Sequence, residues 1–293
     1  MKVAKTAIHS VMSLLLAGLA CAWHEDGHQR TAGLAVALVA GKLPAFFVEG
    51  KTALAATAAD PDLFRERAPP ELRNQEGPEH YMDMELLGGE SLPTNRYAYV
   101  ALCAKKGLNP ADVGLLPYSI TEWTERLTVI FAEYRKWPDN PNVRAKCLFY
   151  AGILSHYAAD ATQPLHLTIY FDGRANADGK VVRTGIHNRV DALLGKAGGS
   201  DQDVLKDLNA AGFADLFPSV VSELDRSWKL LDKTYALEAA VPDLDKPLGD
   251  DPALNAFVRE RLRRAALFTA CLYLTAWERS ADYQLPAWHH PPG

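Results

Sequence analysis

Two histidine–aspartate pairs are the residues in this chain best spaced to hold a metal ion. His156 and Asp160 are four positions apart, and His187 and Asp191 repeat that spacing. On a helix, residues i and i+4 lie one turn apart on the same face, so each pair can direct an imidazole and a carboxylate at one point. His166 follows Asp160 by six residues, beyond a proline that lets the chain turn back toward the same centre.

One such pair alone is also typical of a helix cap or a salt bridge. Two pairs with a further histidine together favour a metal site. Neutral imidazoles and carboxylates are the ligands of hydrolytic zinc sites, and the absence of any C-x-x-C pair argues against a closed structural zinc site. The spacing therefore predicts a hydrolytic zinc centre.

Five segments of the chain together resemble the superfamily of trinuclear zinc phosphodiesterases. They are Trp23-His24-Glu25-Asp26-Gly27-His28, Ala59-Asp60, His80-Tyr81-Met82-Asp83, the H-x3-D-x-x-Q-P-x-H run from His156 to His166, and His187-Asn188-Arg189-Val190-Asp191. This superfamily contains the single-strand-specific zinc nucleases and the bacterial zinc-dependent phospholipases C. The resemblance extends from Trp23 to about Gly195, and the H-x3-D-x-x-Q-P-x-H run is its most specific part.

The resemblance implies three Zn2+ ions held by nine residues. One zinc would be bound by Asp60, His80, His156 and Asp160; a second by His166, His187 and Asp191; a third by His28, by Asp160 as a bridge, and by the amine and carbonyl of Trp23. In this arrangement Asp160 bridges two zincs that deprotonate a shared water. Asp60 could bind its zinc and also orient the nucleophile.

Charge counting agrees with a phosphate substrate. Three Zn2+ ions carry six positive charges, against three carboxylates and five neutral imidazoles in the implied ligand set. The result is a cationic centre inside an acidic protein, which would attract an anionic phosphate.

The resemblance to the nuclease branch also implies substrate contacts. Tyr81 would stack on a base and Asp83 would hydrogen-bond that base, while Arg65 would contact a phosphate. Each residue has an ordinary alternative role. Tyr81 could pack in the core, Asp83 could cap the following helix, and Arg65 could be a surface arginine.

The substrate remains open between two classes. The short spacing from Trp23 to His28 is that of the nucleases, but Asp60 lacks the preceding Trp that many nucleases carry, and His24 replaces the usual Gly. We expect hydrolysis of single-stranded DNA or RNA with release of 5′-phosphorylated products. The alternative is a phospholipase C that cleaves phospholipid head groups at a phospholipid surface.

The first residues have the layout of a secretory signal peptide. Lys2 and Lys5 precede a short apolar stretch, and Ala20-Cys21-Ala22 forms a small-x-small cleavage site. Cleavage would make Trp23 the new N-terminus, with the free amine that the third zinc requires. The prediction is a secreted or periplasmic protein; an uncleaved N-terminal helix and a lipoprotein acylated at Cys21 are the alternatives.

Charge and cysteine content restrict partners and cross-links. Loss of Lys2 and Lys5 with the leader would change the net charge from −5 to −7, so a broad basic nucleic-acid surface is absent. No obligate protein partner is indicated, and a monomer is expected.

Three cysteines would remain after cleavage of the leader. We expect them to be buried thiols, with a disulfide between Cys103 and Cys147 as the alternative.

The segments that carry these residues are predicted to be helices, because no stretch shows the alternation of apolar and polar residues that is typical of a strand. Helices are predicted over His28–Ala40, Lys51–Ala59, Arg96–Lys106, Ile120–Trp137, Asn142–Ala161, Ile186–Leu194, Val220–Glu238 and Pro252–Ser280. Residues 60–80 hold four prolines and are predicted to be a long loop, as are residues 172–185.

The expected fold is all-α, a single multi-helix domain of the phospholipase C and zinc nuclease type, built around a three-zinc cluster. Its predicted limits are a signal peptide over residues 1–22, the phosphodiesterase domain over residues 23–285 and a C-terminal tail over residues 286–293.

Overall fold

The computed structural model describes residues 24–175 and 180–291, and within them the all-α prediction is confirmed. Strand pairing in these residues is limited to two isolated bridges, Met82 with Gly114 and Ala175 with Val181. Trp23 and the predicted signal peptide lie outside the described residues. No helix in the described part is long and apolar enough to cross a membrane.

The helices follow one another through short connections. In the first half they are α1 (Glu25–Leu38), α2 (Ala45–Glu49), α3 (Lys51–Thr57), α4 (Asp60–Arg67), α5 (Pro70–Glu76), α6 (Met84–Leu87), α7 (Arg96–Lys105), α8 (Pro110–Val113) and α9 (Leu116–Lys136). In the second half they are α10 (Pro141–Asp160), α11 (Ile186–Asp191), α12 (Leu193–Lys196), α13 (Asp201–Leu205), α14 (Leu216–Trp228), α15 (Leu231–Ala236) and α16 (Pro252–Arg279). Short 3₁₀ turns cover Gly77–His80, Pro164–Leu167 and Glu238–Ala240.

The central element is α10, which packs against α9, α3, α16 and α1. Every residue of its second half, from Ala151 to Asp160, is buried. A helix surrounded by other helices must be apolar on all sides, and any polar group that it carries needs a buried partner. His156 and Asp160 lie on this buried half, so the helix places two ionisable groups inside the protein.

The loop predicted over residues 60–80 is wrong, because this segment consists of α4, α5 and a 3₁₀ turn. Its prolines do not break these helices. Pro61, Pro70 and Pro78 each lie in the first turn of an element, where a backbone N–H has no helical acceptor to lose. The predicted helix Val220–Glu238 is divided into α14, α15 and a 3₁₀ turn.

The expectation that the cysteines are buried thiols is confirmed for the described residues. Cys103, Cys147 and Cys271 are all buried and carry free thiols, so the alternative disulfide between Cys103 and Cys147 does not form.

The contact between α10 and α3 generates a prediction about Gly152. A Cβ at this position would collide with the Thr57 hydroxyl and the Leu54 backbone carbonyl. We expect Gly152→Ala to lower the free energy of unfolding by about 1–2 kcal/mol, because the clash outweighs the roughly 1 kcal/mol that Ala gains over Gly in a helix. Urea denaturation measures this change.

Gly249→Ala is the matched control, because nothing lies within 4 Å of a Cβ there. An unchanged unfolding free energy for Gly152→Ala would show that α3 and α10 do not pack as closely as described.

Candidate metal centre

Six elements bring buried histidines and aspartates to one region between α1, α4, α10 and α11. The residues are His28 on α1, Asp62 on α4, His80 at the end of a 3₁₀ turn, His156 and Asp160 on α10, His166 on the next 3₁₀ turn, and His187 and Asp191 on α11. All are buried except Asp62, which is partly exposed. They form three overlapping groups, each able to hold a metal ion.

The first group consists of His80, His156 and Asp160. His80 Nδ1 lies 3.1 Å from Asp160 Oδ2, and His156 Nε2 lies 3.0 Å from His80 Nδ1 and 3.4 Å from Asp160 Oδ2. Ligand atoms about 2.0–2.1 Å from a tetrahedral zinc are roughly 3.3 Å from each other. The three atoms therefore surround a point at zinc-binding distance.

The second group consists of His166, His187 and Asp191. His187 Nε2 lies 3.0 Å from Asp191 Oδ2, and His166 Nε2 lies 3.7 Å from Asp191 Oδ1. The i, i+4 spacing of His187 and Asp191 on α11 thus brings the imidazole and carboxylate together as the sequence predicts.

The third group consists of His28, Asp62 and His156. The rings of His28 and His156 are stacked with centroids 3.8 Å apart, and His156 Nε2 lies 3.8 Å from Asp62 Oδ1. The other oxygen of Asp160, Oδ1, lies 3.6 Å from His28 Nε2. Asp160 therefore faces two groups with its two oxygens, which is the position of a bridging carboxylate.

Asp62, and not the predicted Asp60, is the aspartate of α4 that joins these groups. Asp62 Oδ1 is also 3.9 Å from His80 Nδ1, whereas Asp60 belongs to none of the three groups. Asp60 is the first residue of α4 and Asp62 the third, so their side chains point about 200° apart around the helix axis. The rotation of α4 about its axis decides which carboxylate faces the histidines.

Several buried polar atoms of the cluster have no hydrogen-bond partner within the described residues. They include both ring nitrogens of His28, Nε2 of His80, Oδ1 of Asp160 and Nε2 of His166. Each buried, unsatisfied polar group costs about 1–3 kcal/mol. A bound cation would satisfy these lone pairs, so the residues present fit a metal site.

Hydrogen bonds behind the cluster orient the imidazoles. His156 Nδ1 donates to the Ala58 carbonyl at 2.7 Å, and His166 Nδ1 donates to the His80 carbonyl at 2.9 Å, with these tautomers assigned from the acceptors. Gln163 donates its side-chain amide to Asp191 Oδ1. Such contacts leave Nε2 of both histidines free for a metal and fix the ring planes.

Burial keeps most of these imidazoles neutral, which is the form that binds metal. Burial lowers the pKa of His28 and of His166 well below the ordinary value. Burial, assisted by the Arg65 charge, lowers the pKa of His80 to about 3. For His156 burial acts in the same direction, but the Asp160 and Asp62 carboxylates outweigh it and raise the pKa.

A cavity of about 550 Å³ opens onto the cluster. Its walls include His80, His166 and His187 together with the three residues expected to bind substrate, Arg65, Tyr81 and Asp83, and with Phe171. Arg65 is only 15% exposed and pairs with Asp62 at 2.8 Å, so it is not the surface arginine of the alternative interpretation.

The other two residues also have defined positions. The Tyr81 hydroxyl donates to the Ala111 carbonyl at 2.5 Å, and burial, followed by the nearby acids, raises its pKa to about 12. Asp83 precedes α6 but makes no side-chain capping bond, so the capping alternative does not hold. Burial and the Glu85 charge raise the pKa of Asp83 to about 7.

A glycine allows the segment carrying His80 and Tyr81 to approach α9. Gly114 has φ of 103° and bridges Met82, and a Cβ there would collide with the Tyr81 carbonyl. The Met82 N–H donates to the His166 carbonyl at 2.9 Å, which ties this segment to the second 3₁₀ turn. This backbone contact connects two of the groups.

Sequence reasoning missed Asp62, Phe171 and Glu76. Glu76 Oε1 lies 3.6 Å from His80 Nε2 and accepts a hydrogen bond from the Tyr157 hydroxyl. The i, i+3 pairing of Asp62 with Arg65 was a signal available in the sequence. Trp23 lies outside the described residues; the backbone N–H of His24 donates to the Asp191 carbonyl at 3.0 Å.

Comparison of the chain with protein-family models and with curated proteins finds no significant match to either.

The placement of α4 generates a prediction that separates two nearby aspartates. We expect Asp62→Asn to lose at least one tightly bound zinc per chain, because a neutral amide is a weak ligand. Asp60→Asn, the matched control, should keep the full amount. Elemental analysis of zinc-loaded, dialysed protein measures the content, and the opposite pattern would mean that α4 is rotated differently.

The histidine pKa values generate a prediction about metal-free protein. His28, His80 and His166 stay neutral when folded but take up protons in the unfolded chain below pH 6.5, their ordinary pKa. The unfolded state then binds more protons than the folded state. The stability that these neutral histidines contribute above pH 6.5 is therefore lost as the pH falls, on the order of 1 kcal/mol per pH unit for each histidine. His156 and Asp83, whose pKa values are raised, act in the opposite direction but are two groups against three.

Urea denaturation in the presence of a chelator, between pH 7.5 and about 5, tests this expectation. Unfolding free energy should be nearly constant above pH 6.5 and decrease below it. A free energy of unfolding that rises on acidification through this range would show that the buried imidazoles are already protonated in the folded protein.

Proposed function

We propose that the protein is a zinc-dependent hydrolase of phosphodiester bonds that acts on single-stranded nucleic acid and leaves 5′-phosphorylated products. The observation that carries this proposal is a cavity whose walls include histidines from two of the three His/Asp groups together with Arg65 and Tyr81. A cluster of cations next to an arginine suits a phosphate, and an aromatic ring suits a base.

The zinc ions are part of the proposal. Bound Zn2+ would act as a Lewis acid on the phosphoryl oxygens and lower the pKa of a water molecule toward neutrality. Three ions are proposed, in keeping with three groups of ligands. Asp160 supports this number, because its two oxygens face different groups.

The protein's own residues hold and orient the substrate. Arg65 is kept in place by Asp62 and adds positive charge beside the histidines, where it can contact a phosphate oxygen. Tyr81 presents a ring whose hydroxyl is anchored to Ala111, so that a base can stack on it. Asp83, with a pKa near neutrality, can accept or donate a hydrogen bond at the edge of that base.

Asp62, rather than Asp60, is the aspartate of α4 that we propose binds zinc and orients the nucleophile. Its carboxylate reaches both His80 and His156, and it also contacts Arg65, which connects the metal groups to the phosphate contact. We propose that Asp62 and Asp160 orient the attacking water.

Export and the N-terminal ligand complete the proposal. Cleavage before Trp23 would provide the amine and carbonyl that, with His28 and Asp160, complete the third site. His28 Nε2 lies 3.6 Å from Asp160 Oδ1, which supports a shared ion. The proposed location is secreted or periplasmic, and the proposed state is a monomer without an obligate partner.

A phospholipase C is the second candidate, favoured by exposed apolar side chains on α4 and α5. Leu63 and Phe64 on α4 and Leu72 on α5 are 54%, 36% and 43% exposed. Exposed apolar side chains can contact a membrane. They lie on the same helix pair that carries Asp62 and Arg65.

Parallel assays on single-stranded DNA, RNA and phosphatidylcholine vesicles test this choice. We expect cleavage of both nucleic acids, with 5′-phosphate ends by mass spectrometry. Asp160→Asn should reduce the rate by more than about 100-fold, since changes behind the ligands alone cost about 10- to 100-fold. Release of phosphocholine without nucleic-acid cleavage would identify a phospholipase C instead.

Tyr81→Ala refines the same test. It should raise KM for oligonucleotides by an amount that corresponds to about 1–3 kcal/mol of lost stacking. Tyr97→Ala is its control, because Tyr97 is 82% exposed on α7 and lines no part of the cavity.

A further inference from the structure

Glu76 lies beside His80, on the side of the ring that faces away from the other metal ligands. It is the last residue of α5, and His80 ends the 3₁₀ turn that follows, so the two are four positions apart, like the two histidine–aspartate pairs of the cluster. The Glu76 and His80 side chains are 13% and 1% exposed. A carboxylate is therefore largely enclosed next to a metal-binding histidine, although it belongs to none of the three groups of ligands.

The two ring nitrogens of His80 face different acids. Nδ1 lies 3.1 Å from Asp160 Oδ2 and 3.9 Å from Asp62 Oδ1, which makes this the metal side of the ring. Nε2 lies 3.6 Å from Glu76 Oε1 and has no hydrogen-bond partner among the described residues. When one nitrogen of a neutral imidazole binds a metal, the other carries the proton and needs an acceptor. Glu76 is the carboxylate in position to accept that proton's hydrogen bond.

Two other histidines of the cluster are oriented by a different kind of acceptor. His156 and His166 each donate Nδ1–H to a backbone carbonyl, that of Ala58 and that of His80. A carbonyl is neutral, whereas a carboxylate is charged, and hydrogen bonds to charged acceptors are about twice as strong. A carboxylate behind an imidazole therefore orients the ring more firmly and makes its metal-binding nitrogen more basic.

The Tyr157 hydroxyl holds Glu76 in place. It donates a hydrogen bond to Glu76 Oε1, the same oxygen that faces His80. Tyr157 is 2% exposed, and its ring packs against the rings of His80 and His156 with centroids 5.4 Å away in each case. A carboxylate oxygen has two lone pairs, so Oε1 can accept from the hydroxyl and from Nε2 together. A movement of roughly 0.8 Å by either group brings Nε2 to the ordinary N–H···O distance.

We propose that Glu76 is a positioning residue of the metal centre, which accepts a hydrogen bond from His80 Nε2–H and so presents His80 Nδ1 to the zinc of the first group. This inference rests on the zinc ions of the proposed function and adds to them a residue that touches no metal. Tyr157 acts through Glu76 by fixing its carboxylate. Zinc affinity at the first group thus depends on a contact between α5 and α10.

Glu76→Gln, which keeps the shape of the side chain and removes its charge, tests this role. The neutral amide is a weaker acceptor for His80 Nε2–H. We expect the affinity for one of the three zinc ions to fall about 10- to 100-fold, with the other two nearly unchanged. Titration of zinc-loaded protein with chelators of increasing strength measures the affinity for each ion without any substrate.

Glu71→Gln is the matched control, because Glu71 carries the same charge on the first turn of α5 and is exposed. Its zinc affinities should equal those of wild type. Tyr157→Phe removes the hydroxyl and keeps the ring, so it should weaken binding of the same ion by less than Glu76→Gln does. Adding Tyr157→Phe to Glu76→Gln should cause no further loss, because both changes act through one carboxylate.

NMR of zinc-loaded protein labelled with ¹⁵N at histidine separates positioning from general stability. The His80 signals should show Nδ1 bound to metal and Nε2 bound to a proton. The Nε2–H signal should move upfield in Glu76→Gln, because its hydrogen bond is weaker. A merely structural role for Glu76 would lower the free energy of unfolding in chelator but leave this signal in place.

Three outcomes would overturn the role of Glu76. A proton on His80 Nδ1 in zinc-loaded protein would mean that the metal binds the other nitrogen. Equal zinc affinities in Glu76→Gln and wild type, with three zinc ions bound to each, would remove Glu76 from the metal centre and leave the proposed function standing. A wild type that binds no zinc would reject the zinc-dependent function together with this role.

Discussion

The burial of ionisable side chains around Asp160 governs how the helices of this protein pack. Its carboxylate is fully buried, with one oxygen 3.1 Å from His80 Nδ1 and the other 3.6 Å from His28 Nε2. Buried charge and unsatisfied lone pairs destabilise a fold unless an opposite charge compensates them. A cation at this position would offset the free-energy cost of these buried groups. It would also connect α1, α4, α10 and α11 through their side chains.

The surrounding helices reflect that constraint. The second half of α10 is enclosed on all sides, and the prolines in the first turns of α4 and α5 allow a compact pair of helices at the mouth of the site. Backbone carbonyls of Ala58 and His80 accept the Nδ1 protons of His156 and His166. The fold therefore fixes the tautomers and ring planes before any ligand is present, which lowers the reorganisation needed to bind metal.

The charge distribution is consistent with the same chemistry on a larger scale. The protein is acidic overall, yet the cavity at the metal groups is lined by Arg65 and three histidines. With cations bound, positive charge would be concentrated at this cavity and not spread over the general surface.

Sequence patterns alone predict the helical class and the local histidine–aspartate pairs. The spacing of His187 and Asp191 produces a contact of 3.0 Å because helix periodicity acts over four residues and needs no tertiary information. Which other side chains face the site depends on tertiary packing. Both Asp60 and Asp62 are near the start of α4, and only the packing of that helix turns Asp62 toward His156. Phe171 carries no local signal either, since the cavity is formed by segments distant in the chain, and which side chains line it depends on how those segments pack.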